Sequence, residues 1–349
     1  MTLFDQLIEL RDRQRRAVNT QPVVITGKSL QWEDNRHGTM KWYLHPAVEN
    51  ICNAYIVYAQ KLAPRTKSGK QLCQGGSMFY LLQGRLRSSV NDEVYEWGAG
   101  DALTLPLLRD GVVVQHANLD PQEPAMFLGW EANTVAALGV DKGSGFEQIE
   151  PAGDLDEATE RALQRNRGAR KAAAATLSDQ PIISPDVQLQ YHRDIQRWKW
   201  IRHRHEAGNL VIRGDDMTWE QNSQGRVRYY LNPEYANNAL RDWTLFLHDI
   251  RTHTGMHRHQ GGIVIYVVEG AGYTLCDGVR YDWEQGDLIV FPLKPDGVEH
   301  EHHNLKQGEP CQWIATFYWP WWELVASEFT QVKLHPDYRD RERERTRTI

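Results

Sequence analysis

Arg251-Thr-His-Thr-Gly-Met-His-Arg-His259 and Val298-Glu-His-Glu-His-His-Asn304 decide how this 349-residue chain is read. Together they hold six of its 14 histidines: His253, His257, His259, His300, His302 and His303. The sequence joining them is made of short apolar runs cut by Gly, Asp and Pro, the pattern of strands and turns. His257 and His259 stand two residues apart, which on a strand places both rings on one face and Arg258 on the other. In the second cluster His300, His302 and Asn304 share a face, while Glu301 and His303 point away. These spacings predict a metal site of three neutral imidazoles, His257, His259 and His300, inside a β-barrel. Such a site leaves coordination positions open for substrate and O₂. His302 would sit beside the metal, placed as a general base or as a hydrogen-bond partner of bound substrate; a satisfied core histidine is the alternative. Ile263 and Ile265 share the inward face and form an apolar, substrate-binding pocket wall. Trp283 and the run Phe317-Tyr-Trp-Pro-Trp-Trp322 are further candidates to line the pocket, with packing in the core or at an interface as the alternative. His253 and His303 are read as surface or outlying residues.

An internal repeat sharpens this reading. Residues 69–124 lie on 255–310 without a gap. Gly69 falls on Gly255, Gln74-Gly-Gly76 on Gln260-Gly-Gly262, Gly84 on Gly270, Tyr95-Glu-Trp97 on Tyr281-Asp-Trp283, Gly100-Asp101 on Gly286-Asp287, and Pro106 on Pro292. Upstream, Trp32-Glu33, Gly38 and Pro46 match Trp219-Glu220, Gly225 and Pro233. The matched residues are turn and packing types, which a shared backbone retains. The first copy carries Gln71, Cys73 and Val114 where the second has His257, His259 and His300, and keeps His116 where the second has His302. The first copy is therefore expected to be a structural barrel without metal ligands.

The expected organisation is an N-terminal β domain over 1–150, a helical linker over 151–190 and a metal-carrying C-terminal β domain over 191–349. Residues 3–17 read as an amphipathic helix. The stretch from Asp154 to Gln164 and the run Lys171–Ala175 read as helical, and Leu177–Gln190 as a connector. The β pattern is expected to resume at Trp198. Ile201-Arg-His203-Arg-His205 repeats the two-residue His spacing but has no third partner nearby, and Arg339–Arg347 is a solvated mixed-charge tail. A net charge of −6 argues against nucleic acid as the main partner. Four cysteines without a CxxC pair fit a reducing cytoplasm, and no apolar run approaches the length of a membrane helix. Apolar barrel faces and 13 tryptophans point to a homo-oligomer, a dimer or tetramer.

These residues resemble the cupin superfamily. Its first motif is matched by His257-Arg-His259 through Gly270, with Ile263 and Val264 at the positions of the usual Glu. Its PxGxxHxxxN motif is matched in full by Pro295-Asp-Gly297-Val-Glu-His300-Glu-His-His-Asn304. A duplicated cupin with a three-His site is similar to the gentisate 1,2-dioxygenase group, which includes salicylate and 1-hydroxy-2-naphthoate dioxygenases. The resemblance implies an all-β tandem cupin, a double jelly-roll β-barrel fold. It also implies Fe(II), or another divalent transition metal, and O₂-dependent cleavage of a hydroxylated aromatic acid. Ile265 stands where that group often carries an Arg for the substrate carboxylate. Hydroquinone-type ring-cleaving dioxygenases, whose substrates lack a carboxylate, are the second reading. A cupin isomerase or small-molecule sensor is the third.

Overall fold

The structure, a computed structural model, describes residues 1–48, 54–133, 147–165, 190–235, 238–294 and 296–338. The run Lys171–Ala175, the connector up to residue 189, Pro295 and the charged tail lie outside the described residues.

The chain forms two antiparallel β-barrels related by the repeat. In the second, a seven-stranded sheet runs in the order Val24–Ile25, Leu288–Val290, Val264–Glu269, Gln312–Tyr318, Trp243–Asp249, Gly225–Leu231 and Glu220–Asn222. It faces a five-stranded sheet of Val279–Glu284, Ala271–Cys276, Val298–Asn304, Met256–His259 and Thr330–Lys333. The first barrel repeats the seven-stranded order from Val211–Ile212 through Ala102–Thr104, Met78–Gln83, Ala125–Ala132, Tyr55–Leu62 and Gly38–Leu44 to Glu33–Asn35.

The central strands of the two large sheets are buried on both faces, so they read as largely apolar runs. In Val264–Glu269, Val264 and Tyr266 enter a core shared by both halves. Ile263, Ile265 and Val267 enter the interior of the second barrel. The shared core also takes Tyr55, Met78, Trp130, Tyr230 and Trp243. The two halves are thus fused along a sheet-to-sheet interface.

The halves also exchange their leading strands. Val24–Ile25 pairs with Leu288–Val290 of the second barrel, and Val211–Ile212 pairs with Ala102–Thr104 of the first. Each exchange is locked in the same way. Gly27 N donates to Asp287 Oδ1 (2.9 Å), and Gly214 N donates to Asp101 Oδ1 (3.1 Å). Tyr43 Oη donates to Gly286 O (2.8 Å), and Tyr230 Oη donates to Gly100 O (3.0 Å). A Cβ at Gly27 would collide with the Gly286 carbonyl, and one at Gly214 with that of Gly100. Each large sheet is thus completed by a short strand from the other half.

The repeat extends to the helices. Leu3–Thr20, opened by a Thr2–Asp5 capping box, is matched by Gln190–Ala207. This second helix occupies the region where the sequence pattern predicts strands from Trp198 onward. Strand structure resumes at Val211. On a helix, residues two apart diverge, so His203 is exposed while His205 is buried. Glu157–Arg165 is helical, in line with its sequence. No described helix is long and apolar enough to cross a membrane.

The glycines that mark the repeat sit at backbone conformations that require them. Gly84 and Gly270 have φ of +82° and +85°, and a Cβ on either would lie 2.7 Å from the carbonyl of Pro124 or Pro310.

Candidate metal centre

Strand alternation places the histidines as their spacing requires. His257 and His259 are buried and Arg258 is exposed, held by Glu299 Oε2 at 2.9 Å. The pairing of Met256–His259 with Val298–Asn304 sets His257 directly opposite His300. The candidate ligand atoms of His257, His259 and His300 all lie within 4.8 Å of one another. The ring centroids of His257 and His259 lie 4.2 and 4.8 Å from that of His300.

Backbone carbonyls orient two of the rings. His257 Nδ1 donates to Gly255 O (3.2 Å) and His300 Nδ1 to Val298 O (3.0 Å). With the proton on Nδ1, each ring keeps a lone pair on Nε2 for a metal. His259 differs: Gly261 N donates to its Nδ1 at 3.1 Å, and its Nε2 is buried without a partner. Ligation through that Nε2 puts the ring proton on Nδ1 and displaces the Gly261 N–H. Desolvation pushes His257 down to about 4 and His259 down to about 3. His300 is also held well below its ordinary value, by burial and then by the neighbouring histidines. The rings are therefore neutral near pH 7, the state in which imidazole ligates. Three converging neutral imidazoles, one with an orphaned buried nitrogen, fit a divalent transition metal.

Two of the three, His257 and His300, line a cavity of about 370 Å³, and His259 lies behind them. Ile263 and Ile265 line it as their alternation predicts, as does His302. Phe317, Trp319 and Trp322 from the aromatic run also line it, while Trp321 turns away and donates to Ala54 O (3.1 Å). Sequence reasoning missed Tyr229, Thr244 and Phe246, which arrive from the neighbouring strands, and Phe329, which stacks 4.9 Å from His257. Inward alternation could have found Thr244 and Phe246. Phe329 has no local signal, because it reaches the triad only through the pairing of Thr330–Lys333 with Met256–His259.

Trp283 does not line this cavity, against the sequence expectation. It is 3% exposed, packs over Gly272, and donates Nε1 to Thr274 Oγ1 (2.9 Å). Thr274 Oγ1 in turn lies 2.8 Å from His302 Nδ1. The first barrel builds the same relay: Trp97 Nε1 donates to Ser88 Oγ (2.8 Å), which lies 2.8 Å from His116 Nδ1. His302 is thus held by a frame that the first barrel keeps without the triad. His253 and His303 pair with each other as an isolated bridge, and His303 stacks on Tyr273 (4.5 Å) beside Glu301.

The first barrel shows what removing the triad entails. Gln71 faces Val114 in the register that sets His257 against His300. Its interior is filled by Tyr58, Phe79 and Phe127. Phe79 and Phe127 both pack 4.9 Å from His116. Phe79 stands where the second barrel has Ile265, and Gly129 leaves room for the Tyr58 ring.

Residues 249–317 match the profile of the cupin domain. No curated protein sequence matches the chain. Among solved structures, a Bacillus subtilis oxalate decarboxylase is similar at a TM-score of 0.56 and 13% identity, over 89% of this chain and 80% of that one. Another structure of the same enzyme, from work on its Mn(II) centres, is similar at 0.55 and 13% over 85% and 77%. Vicilin from Corylus avellana (hazelnut) is similar at 0.57 and 14%, over 94% and 95%. At these identities the likeness concerns the fold, which is a tandem cupin.

Proposed function

We propose that the protein is a metal-dependent cupin enzyme, a non-haem Fe(II) dioxygenase that cleaves the ring of a hydroxylated aromatic compound with O₂. The observation that carries this reading is the convergence of His257, His259 and His300 beside an aromatic-walled cavity that His257 and His300 line. Fe(II) held by three imidazoles would supply Lewis acidity toward a phenolic oxygen and one-electron chemistry toward O₂.

The chain's own residues then have defined tasks. Ile263 and Ile265 present an apolar wall to the ring, and Phe317, Trp322 and Phe329 exclude water from its faces. His302 accepts a hydrogen bond or proton from the substrate hydroxyl at Nε2. This requires its Nδ1 proton to point to Thr274 Oγ1, which Trp283 holds in place. Burial keeps His302 well below its ordinary pKa, so it offers a lone pair throughout the neutral range.

Two substrate readings stand side by side, and one observation favours the second. A gentisate- or salicylate-like acid needs a cation for its carboxylate. None of the described residues lining the cavity is Lys or Arg, and Ile265 occupies the position of the group's Arg. That supports a neutral, hydroquinone-type ring. Oxygen uptake by iron-loaded protein, measured across gentisate, salicylates, hydroxynaphthoates and hydroquinones, tests both. Turnover confined to the acids would overturn the neutral-substrate reading, and no turnover with any of them would overturn the dioxygenase itself.

A further inference from the structure

The first barrel lacks the triad, yet it holds a buried acid that its fold does not require. Alternation along Ala125–Ala132 turns Phe127, Gly129 and Glu131 inward. Glu131 pairs with Ile56 as Phe317 pairs with Thr244, so the two occupy equivalent sites. The same backbone therefore accepts phenylalanine at this point. Glu131 is 3% exposed, and its Oε2 is buried without a hydrogen-bond partner. An unsatisfied buried polar group costs about 1–3 kcal/mol.

Glu131 faces a cavity of about 230 Å³ at the mouth of the first barrel. The helix Gln190–Ala207 roofs it with Arg202 and His205, and Trp243 and Tyr318 form a wall. Neither roof residue answers the carboxyl. Arg202 Nη1 donates to Leu107 O (2.8 Å), and His205 Nδ1 accepts from Leu107 N (3.4 Å). A second acid, Asp242, lines the same cavity.

We propose that this cavity is a second ligand site, distinct from the triad, and that it takes a small organic ammonium ion. The ammonium donates to the Glu131 carboxylate, and its carbon skeleton packs on Trp243 and Tyr318. An ammonium brings several donors and a compensating charge to an acceptor that has neither. The aromatic faces favour a cation as well.

The proton balance is explicit. Desolvation raises the Glu131 carboxyl to about 8, so in the free protein at pH 7 it holds its proton. Binding ionises it: the O–H bond breaks, the proton leaves to solvent, and the carboxylate accepts from the ammonium. Tyr58 and Cys73 face the same group from the barrel interior, and both keep their protons in the neutral range, Cys73 because burial and then Glu131 raise it to about 12. Asp242 is raised by burial and His205 is lowered by burial to about 4, so His205 stays neutral above pH 6.

The test is calorimetric titration of the full-length protein with n-propylammonium chloride, in buffers of different ionisation enthalpy, with n-propanol as the neutral control. The expected result is one site, about one proton released at pH 6–7, and apparent affinity rising roughly fifty-fold from pH 6 to pH 8. Propanol should not bind. Glu131→Gln, which keeps the shape of the protonated acid, should lose at least about tenfold of the affinity at pH 8. His300→Ala should bind the amine as wild type does. Absence of binding at pH 8, equal binding by Glu131→Gln, or loss of binding in His300→Ala would each overturn the proposal, the last by placing the amine on the metal.

Discussion

Replacing Glu131 by glutamine should stabilise the protein increasingly as pH rises above 4.5 and leave it unchanged below that. The folded carboxyl is raised by burial from 4.5 to about 8. Below 4.5 it is protonated in both the folded and unfolded states, and the side chain contributes no pH dependence. Between 4.5 and 8 the unfolded chain gives up this proton and the folded chain keeps it. Stability therefore falls as pH rises through that window and levels off above the folded value. The full difference is about 5 kcal/mol at 1.36 kcal/mol per pH unit. For a chain of 349 residues, with an unfolding entropy of about 2.1 cal/mol/K per residue, this corresponds to roughly 6–7 °C in Tm. Glutamine cannot ionise, so the wild-type and variant melting curves should coincide at pH 4.5 and separate progressively up to pH 9. Thermal unfolding followed by circular dichroism in parallel buffers measures the gap. A constant gap across this range would refute the reasoning, because it would mean that Glu131 is solvated or paired in the folded state.

Three further outcomes follow from the geometry. Ile265→Phe copies the residue with which the first barrel fills its interior; the proposed ring-cleaving turnover should fall by at least about tenfold while metal content is retained and stability changes by less than about 1.5 kcal/mol, read from kinetics, metal analysis and denaturant unfolding. Gly27→Ala drives a methyl into the Gly286 carbonyl at the strand exchange; it should cost about 1–3 kcal/mol in denaturant unfolding, and Gly214→Ala should cost a similar amount because its clash with Gly100 is equivalent. Trp283→Phe removes the hydrogen bond to Thr274; about 1–2 kcal/mol of stability should be lost with metal content unchanged, since Trp283 touches the relay and not the triad.

Much of the fold was legible because its turns require particular residues. Gly84, Gly100 and Gly111 and their partners Gly270, Gly286 and Gly297 all have positive φ, so the duplication left a mark that side-chain drift does not erase. The triad was legible because period-two alternation is a strict rule. His257 and His259 had to share a face, and the register then placed His300 opposite. The helix Gln190–Ala207 escaped because a helix roofing a barrel needs few specific residues. Leu3–Thr20 and Gln190–Ala207 correspond throughout, yet Ile8 with Ile195 and Arg15 with Arg202 are among the few identities. The strand exchange involves two-residue strands whose partners lie in the other half. Its local trace is the agreement of Val24-Ile25 and Gly27 with Val211-Ile212 and Gly214. Trp283 was misplaced because an inward-facing tryptophan near a cavity need not reach it, and Gly272 gave its ring a slot on the way. Glu131 carries no motif of its own, and its contrast with Phe317 lies past residues 69–124 and 255–310, at the same offset.

The central claim is that a single metal is held by the second barrel alone. Metal content per chain, measured on protein loaded with Fe(II) under anaerobic conditions and freed of excess, tests it most directly when wild type is compared with His300→Ala and Gln71→Ala. The account predicts about one equivalent for wild type and for Gln71→Ala, and loss of nearly all of it in His300→Ala with circular dichroism unchanged. No bound metal in wild type, or an undiminished equivalent in folded His300→Ala, would contradict it.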